Sequence, residues 1–411
     1  MRADRTEPAA GRSTAAFYTL LSVMFINMLG FGVVVPLLPF FAKSFHAGPL
    51  EIALIFSAYS MGSFFGEPFW GRLSDRIGRK PLLISTLIGN CLCYGLLAFA
   101  PNVWFAFFIR LFGGMAAGNG SVVQGYIADV TEPDDRAQYM ARLGASYNIG
   151  FIVGPFIGGI LASPGAGSIG FKIPLLVASS FGGLAALGVT LFVRESRQRR
   201  PAIVRVPRPW EMFGYAARHP VIGQLILLTF VVGVAFTGIE STFGLWAQHR
   251  FGWQPRDVGM VFGVTGAVSA LSQFFVTGPL SRRYGEARML AVGMAGTALC
   301  IGLQPLSDGR FLTYGLMALM AMFQSVAFPN SGALMSRSID ENNQGQIMGL
   351  NNASGAIARV VGPAAALQLF DSLNVNAPFF MGALIVAPAI FLALSAGRAA
   401  LAEQREARAA A

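Results

Sequence analysis

The chain has 411 residues, of which 54% are hydrophobic and 12% are charged, and its formal net charge is +10. Soluble domains carry about 25% charged residues, so this composition excludes an ordinary soluble protein and is typical of an integral membrane protein. A basic excess can indicate nucleic-acid binding, but charges in the loops between apolar runs account for it here, and we expect no nucleic-acid partner. The three cysteines lie in apolar runs without metal-ligand or disulfide spacing, so we expect no metal and no cofactor.

Twelve apolar runs are each long enough for a helix that crosses a bilayer, which takes about 20 residues. The runs are continuous rather than alternating, which favours helices over strands. The sequence therefore predicts an all-α membrane protein with twelve transmembrane helices in two pseudo-symmetric six-helix bundles. The predicted spans of the first half are 17–41, 51–70, 81–100, 103–129, 143–163 and 173–193. Those of the second half are 221–247, 258–280, 288–307, 311–335, 349–370 and 378–397.

A polar and basic stretch separates the two sets of six spans. It carries three prolines before Trp210 and predicts a linker between two bundles. The predicted organisation is an N-terminal cytoplasmic segment at 1–16, a bundle at 17–193, a cytoplasmic linker at 194–220, a second bundle at 221–397 and a cytoplasmic tail at 398–411.

The distribution of Lys and Arg predicts the orientation, because cytoplasmic loops are enriched in both. With the N-terminus inside, the inner segments hold 23 of the 30 basic residues, the outer loops hold 5, and Arg110 and Arg359 lie inside spans. Both termini are therefore expected in the cytoplasm, and the inner loops are expected to attract anionic headgroups of the bilayer. The polar N-terminus lacks the compact pattern of a signal peptide.

The two halves carry a faint internal repeat. The segment GRLSDRIG at 71–78 returns as GPLSRRYG at 278–285, which is 207 positions later. The dipeptide Gly-Pro at 154–155 returns at 362–363, which is 208 positions later. Parallel six-helix repeats are typical of one transporter architecture, in which the substrate site lies between the halves.

Four segments resemble motifs of the major facilitator superfamily, over essentially the whole chain. GRLSDRIGRKP at 71–81 is similar to the signature loop between helices 2 and 3, and FIRLFGGMAAG at 108–118 is similar to the helix-4 arginine motif. GFIVGPFIGG at 150–159 resembles the helix-5 motif of proton-coupled antiporters. NMLGFGVVVPLLP at 27–39 resembles helix 1 of drug:proton antiporters, especially the tetracycline-efflux branch.

The resemblance implies a proton-coupled secondary transporter that exports small hydrophobic or amphipathic compounds by alternating access. Its expected partners are a small-molecule substrate, protons and the lipid bilayer. We expect a monomer in a bacterial inner membrane. No ATP-binding signature is present, so a proton gradient is the natural driving force.

Three positions depart from the family pattern. The tetracycline branch usually has an acid in helix 1 where this chain has Asn27, and another in helix 3 where it has Cys93. Both differences argue against tetracycline itself and against the acid pair of that branch. The second copy of the loop motif has Arg282 where the first has Asp75, so the repeat is not electrically symmetric.

Two functions are expected for the signature loop at 71–81. Its basic residues anchor the topology, and the resemblance adds a conformational latch that holds the outward-facing state. The latch residues are Gly71, Asp75, Arg76, Gly78 and Arg79. By resemblance, Asp75 faces the N-terminal end of a helix in the other half, where the helix dipole is positive. Arg76 and Arg79 are expected to pair with acids such as Asp129, and the two glycines to permit a tight turn and close backbone approach.

Two acids lie well inside the predicted spans, Glu67 and Glu240, and Asp129 lies at a span end. A buried charge in a membrane is costly, so each acid is a candidate proton carrier. The alternative for Glu67 is an interfacial acid that reaches water or pairs with the loop arginines. The alternative for Glu240 is a residue of the outer mouth that meets water.

Two arginines lie inside spans. Arg359 is ten residues into the eleventh span, about 15 Å along the helix and close to the midplane, so it should face the cavity. Arg110 belongs to the motif that the family links to proton coupling. Both are proton-coupling candidates, and the alternative for each is a structural buried pair.

The fifth span places small residues on one face, which favours close helix packing and a bendable, sealed pathway. These antiporter-motif residues are Gly150, Gly154, Pro155, Gly158 and Gly159. The helix break at Pro329 could free backbone groups for a binding site. The candidate cavity residues are Asn27, Glu240, Asn330 and Arg359.

Two other functions remain open from the sequence. An uptake symporter or facilitator for a small polar metabolite would need a denser set of polar side chains in the spans. A membrane enzyme would need a nucleophile, a base or a metal cluster, and none is evident, so we predict no enzymatic activity. A transport-like receptor has no contrary signal in the sequence.

Overall fold

The computed structural model describes residues 10–131, 133–196, 214, 219–339 and 344–410. These residues are almost entirely helical and contain no strand, as predicted for an all-α membrane protein. The predicted segment 1–16 and the linker 194–220 lie largely outside the described residues, and the start and end of each predicted bundle remain predictions.

The described residues of the first half form eight α-helices. They are α1 (Ala10–Val34), α2 (Leu38–Lys43), α3 (Pro49–Ile77), α4 (Arg79–Ala98), α5 (Val103–Ala116), α6 (Asn119–Val130), α7 (Pro133–Leu161) and α8 (Lys172–Phe192). A 3-10 turn at Val35–Leu37, which includes Pro36, joins α1 to α2 in one apolar span. A second 3-10 segment at Pro164–Phe171 precedes α8.

The described second half contains seven α-helices. They are α9 (Pro220–Phe251), α10 (Pro255–Ser272), α11 (Gly278–Tyr284), α12 (Glu286–Leu303), α13 (Arg310–Arg337), α14 (Gln344–Ser372) and α15 (Ala377–Ala410). A π-helical turn at Gln273–Thr277 joins α10 to α11 without a break in the span.

Eleven helical segments in the described ranges are long and apolar enough to cross a membrane. The one predicted span that is absent from these eleven is the second along the chain, 51–70. It lies within α3, which has 29 residues and is about 43 Å long. Serines and Glu67 lower its hydropathy. Because α3 packs against α5, α6 and α14, its serines are buried by protein rather than exposed to lipid, whereas Glu67 stays exposed.

The predicted fourth span is divided into α5 and α6 at residues 117–118. The indole of Trp70 lies against Gly118, and its Nε1 donates a 2.6 Å hydrogen bond to the carbonyl of Met115 near the end of α5. A carbonyl freed by the break is therefore satisfied by a side chain, which backbone groups inside a membrane require.

Successive spans alternate in direction, so their ends lie on two sides of the molecule. We call one side the linker side, which carries residues 71–80, 193–196 and 219. The opposite side is called the distal side. It carries residues 44–48, 99–102, 162–171, 252–254, 307–309 and 373–376.

The two halves meet towards the distal side. Lys43 Nζ donates a 3.2 Å hydrogen bond to Gln248, and Ser57 Oγ donates a 2.9 Å hydrogen bond to the carbonyl of Val360. A Cβ atom on Gly159 would lie 2.9 Å from the Cα atom of Gly259, so the backbones of α7 and α10 are in direct contact. These contacts close the distal side.

The linker side is open between the halves. Glu67 on α3, Tyr147 on α7 and Arg359 on α14 are exposed although all three lie inside predicted spans. They act on one another electrostatically, so the three helices face a common space, which we call the vestibule. Exposed charged groups at this depth fit a water-filled vestibule that opens on the linker side.

Candidate functional site

A cavity of about 270 Å³ lies between the halves, enclosed by α7, α9, α10 and α13. Its wall is mostly apolar and is rich in aromatic and thioether side chains. These side chains are Phe151, Phe236, Phe243, Phe262, Met317, Met320 and Phe328. Such a wall offers a large apolar contact area, and the unbranched methionines adapt to ligands of different shape.

Glu240 on α9 is the carboxylate that lines this cavity. The polar groups around it are neutral, and they include Asn148 on α7 and Gln324 on α13. Arg359 on α14 is close enough to attract Glu240 electrostatically, and it also attracts Glu67. Arg359 therefore attracts both intramembrane acids, Glu67 and Glu240. Neither carboxylate is within 4 Å of Arg359, so neither forms an ion pair with it among the described residues.

Glu67 lies on the wall of the vestibule, and its side chain is exposed. The sequence left open a pair with the loop arginines, but the charge that acts on Glu67 in the structure is Arg359 from the other half. The two helices that carry them, α3 and α14, pack together, so a charge on either residue is felt across the boundary between the halves.

Three of the four predicted cavity residues, Asn27, Asn330 and Arg359, do not line the described cavity, and Arg359 faces the vestibule instead. Asn27 on α1 accepts a 3.2 Å hydrogen bond from the Asn90 amide on α4. Asn330 is buried and donates a 2.6 Å hydrogen bond to the carbonyl of Val326 within α13, while its neighbour Pro329 does line the cavity. Pro329 has no N–H group, so the carbonyl of Ser325, four residues earlier, lacks its helical donor and instead accepts a 3.2 Å hydrogen bond from the Thr277 hydroxyl.

Arg110 is not part of the central cavity. Its side chain is only 3% exposed, and its guanidinium carbon lies 4.8 Å from the centre of the Tyr59 ring. It lines a separate small cavity together with Cys93 and Tyr94. The structure therefore does not bring Arg110 together with Glu240 or Glu67.

The signature loop is held by a network within the first half. The guanidinium of Arg79 is 2.9 Å from Asp75 and 3.0 Å from Asp129, and it donates a 2.6 Å hydrogen bond to Ser74. Arg76 is exposed. The predicted contact of Asp75 with the N-terminal end of a helix in the other half stays a prediction.

The two glycines of the loop differ in their structural need. Gly78 has φ of +123°, and a Cβ atom there would lie 2.5 Å from the carboxylate of Glu195, so only glycine fits. Gly71 lies inside α3, where a Cβ atom would make an ordinary 3.6 Å contact with Ser121. No close backbone approach occurs at Gly71 in the observed state, and its role in the latch stays a prediction.

The sequence analysis missed Glu195, which follows α8. Its carboxylate oxygens accept hydrogen bonds of 2.8 and 3.1 Å from the backbone N–H groups of Arg79 and Lys80. These donors are free because they begin α4, and the positive end of the helix dipole favours an anion there. A lone acid just after the sixth span was the available signal, but only the fold shows which helix it caps.

The small residues of α7 pack against α1. Cβ atoms on Gly150, Gly154 and Gly158 would each collide with an α1 carbonyl, and the nearest atom to Gly154 would be the carbonyl of Leu29 at 2.6 Å. Gly159 faces α10 in the other half instead, and Pro155 lines the central cavity. The five motif residues therefore contact α1, the central cavity and the boundary between the halves.

The sequence profile of the Major Facilitator Superfamily matches residues 20–276 and 225–410. Tetracycline resistance protein, class C, of Escherichia coli is 29% identical over 364 residues, which cover 87% of this chain and 90% of that protein. Multidrug resistance protein 2 of Bacillus subtilis (strain 168) is 27% identical over 378 residues, which cover 90% of this chain and 92% of that protein.

The fold is similar to those of solved transporters. The crystal structure of the human organic anion transporter MFSD10 (TETRAN) aligns with a TM-score of 0.70 at 21% identity, over 94% of this chain and 100% of that one. A bacterial homolog of the human lysosomal transporter Spinster, crystallised inward-facing and unoccupied, aligns with a TM-score of 0.72 at 14% identity, over 97% and 98%. At these identities the likeness concerns the fold alone. By its sequence profile and its twelve-helix architecture, this chain belongs to the Major Facilitator Superfamily and is a multi-pass membrane transporter.

Proposed function

We propose that this transporter exports small hydrophobic or amphipathic compounds in exchange for protons, by alternating access, across a bacterial inner membrane with both termini in the cytoplasm. The observation that carries the proposal is the central cavity, whose aromatic and methionine wall holds a single carboxylate, Glu240. The bacterial relatives are tetracycline and multidrug resistance proteins, which supports the same substrate class.

The wall of the cavity favours apolar substrates over polar metabolites. Burying an aromatic-sized group contributes about 1.5–3 kcal/mol, so contact with two or three phenylalanines gives useful affinity without directional hydrogen bonds. A sugar or amino acid would need many fixed polar partners, because a buried polar group without one costs about 1–3 kcal/mol. The uptake of a polar metabolite is therefore the weaker of the two functions.

Glu240 is the residue that we assign to proton exchange. A proton and a substrate that meet the same carboxylate compete for it, and competition at one site couples the two movements. Arg359 attracts the ionised forms of both Glu240 and Glu67, so it can shift between them as the halves move. Glu67 then lies on the route between the cavity and the linker side.

The halves are in contact on the distal side and apart on the linker side, which supports the proposal that this state is one end of an alternating-access cycle. Conversion to the other state requires the distal contacts, such as Ser57 to Val360, to break. The signature loop lies where the halves would then close, which supports its proposed latch role on the linker side.

The test uses inside-out vesicles with an imposed proton gradient and a fluorescent pH reporter. Addition of amphipathic drugs should release protons in the wild type, and Glu240→Gln should abolish the release. Asp371→Asn is the matched control, because Asp371 is an exposed acid near the distal end of α14, and it should behave as the wild type. If no drug moves protons and a polar metabolite equilibrates instead, the export function is wrong.

A further inference from the structure

A second cavity lies inside the first half, between α3, α4 and α5. Its volume is about 10 Å³, which is the space that one water-sized body needs. It is lined by Tyr59, Asn90, Cys93, Tyr94 and Arg110, together with small apolar groups. It does not share a lining residue with the central cavity, and the proposed export mechanism does not use it.

Arg110 is a buried cation without an anion in the described structure. Its Nε and Nη1 atoms are inaccessible and make no hydrogen bond. The face of Tyr59 is its visible partner, and a cation over an aromatic ring is stabilised by about 2 kcal/mol when it is desolvated. Moving a guanidinium out of water costs much more than that, so the site as described is electrostatically incomplete.

Every polar side chain that lines the cavity can donate a hydrogen bond, and no carboxylate is among the described lining residues. Tyr59 and Tyr94 carry hydroxyl groups, Cys93 carries a thiol, and the amide of Asn90 keeps a second hydrogen after its bond to Asn27. The charged or polarisable groups that act on Arg110 are Tyr94, Tyr59 and Cys93. A buried cation surrounded by hydrogen-bond donors is an environment that favours a bound anion. It differs from a carboxylate site, which would carry a proton.

We propose that this cavity binds one monatomic anion of the size of chloride, held by the guanidinium of Arg110 and by the surrounding donors. A water molecule would fill the space, but it would leave the positive charge without a counter-ion. The carboxylate group of a substrate is too large for this cavity, because the space holds a single monatomic ion. The anion completes the interior of the first half, and this role is independent of the exported compound.

A substitution at Cys93 can place a negatively charged side chain next to Arg110. A Cβ atom on Gly113 would be 3.3 Å from the Cβ atom of Cys93, and Gly113 is one helical turn from Arg110 on α5. An aspartate at position 93 would therefore reach the guanidinium and take the place of the anion. A serine at position 93 keeps the donor and adds no charge.

The test measures thermal unfolding of the purified full-length chain in detergent. Sodium gluconate is replaced stepwise by sodium chloride or sodium bromide at constant ionic strength. In the wild type and in Cys93→Ser, either halide should raise the midpoint temperature saturably, by on the order of 2 °C. In Cys93→Asp the halide response should disappear.

Two results would overturn the proposal. One is a wild-type midpoint that is the same in gluconate, chloride and bromide. The other is a full halide response in Cys93→Asp, which would put the anion elsewhere. If Cys93→Asp does not fold, wild-type crystals grown with bromide decide: anomalous density beside the Arg110 guanidinium supports the site, and its absence there contradicts it.

Discussion

The Nε atom of Arg79 donates a 3.0 Å hydrogen bond to the carboxylate of Asp129, and this bond ties the start of α4 to the end of α6. Asp75 takes a second contact with the same guanidinium at 2.9 Å. All three residues belong to the first half. In the observed state Arg79 therefore joins two acids of the first half at the signature loop.

We predict that Arg79→Ala destabilises the protein by about 2–3 kcal/mol. Removing one partner of a buried ion pair costs about 3–5 kcal/mol, and the partial exposure of Asp75 and Asp129 reduces that value. The measurement is the unfolding midpoint in denaturant or on heating. Arg76→Ala is the matched control, because Arg76 is exposed in the same loop and should change stability little. Equal effects of both substitutions would contradict this account of the loop.

Glu195→Ala should destabilise the protein by about 1 kcal/mol, because two backbone N–H groups at the start of α4 lose their acceptor. Glu195→Gln keeps one acceptor oxygen and should lose less. Hydrogen exchange of the first turn of α4 should become faster in the alanine variant. Unchanged exchange there would show that Glu195 does not cap this helix in solution.

Gly159→Ala should open the distal side. The added Cβ atom would lie 2.8 Å from the carbonyl oxygen of Pro255 and 2.9 Å from the Cα atom of Gly259, so α7 and α10 must separate. The measurement is the labelling rate of a cysteine at position 248 by an impermeant thiol reagent, in a background without the three native cysteines.

The matched control is Gly144→Ala on the same helix, where the added Cβ atom would meet nothing within 4 Å. Labelling at position 248 should rise in Gly159→Ala and stay at the reference rate in the control. A rise in both variants would show a general loosening of α7 rather than a specific effect on the boundary between the halves.

A short thiol cross-link between Lys43→Cys and Gln248→Cys should arrest transport. The two native side chains are joined by a 3.2 Å hydrogen bond across the distal side, so a covalent link there holds the observed state. Each single cysteine variant treated with the same reagent should still transport. Transport by the cross-linked double variant would show that the distal contact need not open during the cycle.

Phe262→Ala should lower the affinity for apolar substrates by about tenfold or more, because a buried phenylalanine contributes about 1.5–3 kcal/mol. Phe311→Ala is the control, since Phe311 is 92% exposed and does not line the cavity. The readout is the substrate concentration that gives half-maximal proton release. Equal losses in the two variants would place the substrate outside this cavity.

The helices and their order could be predicted from the sequence, because each span depends on local hydropathy and length. The distribution of Lys and Arg predicts the orientation for the same reason, since topology follows from charges counted along the chain. The exceptions depend on tertiary contacts. At the break at 117–118 the Trp70 side chain of another helix bonds a freed carbonyl, and the serines of α3 are covered by neighbouring helices.

Reasoning from the sequence alone identified the class of the molecule: an all-α membrane protein with the family's loop and helix motifs, and a short set of intramembrane charges. The packing of the helices divides those charges between separate sites. It puts Glu240 on the central cavity, lets Arg359 act on both Glu240 and Glu67, and sets Arg110 apart in its own cavity. Whether a segment spans the membrane depends on the hydropathy of that segment alone. Which charged side chains attract one another depends on which helix faces meet after packing.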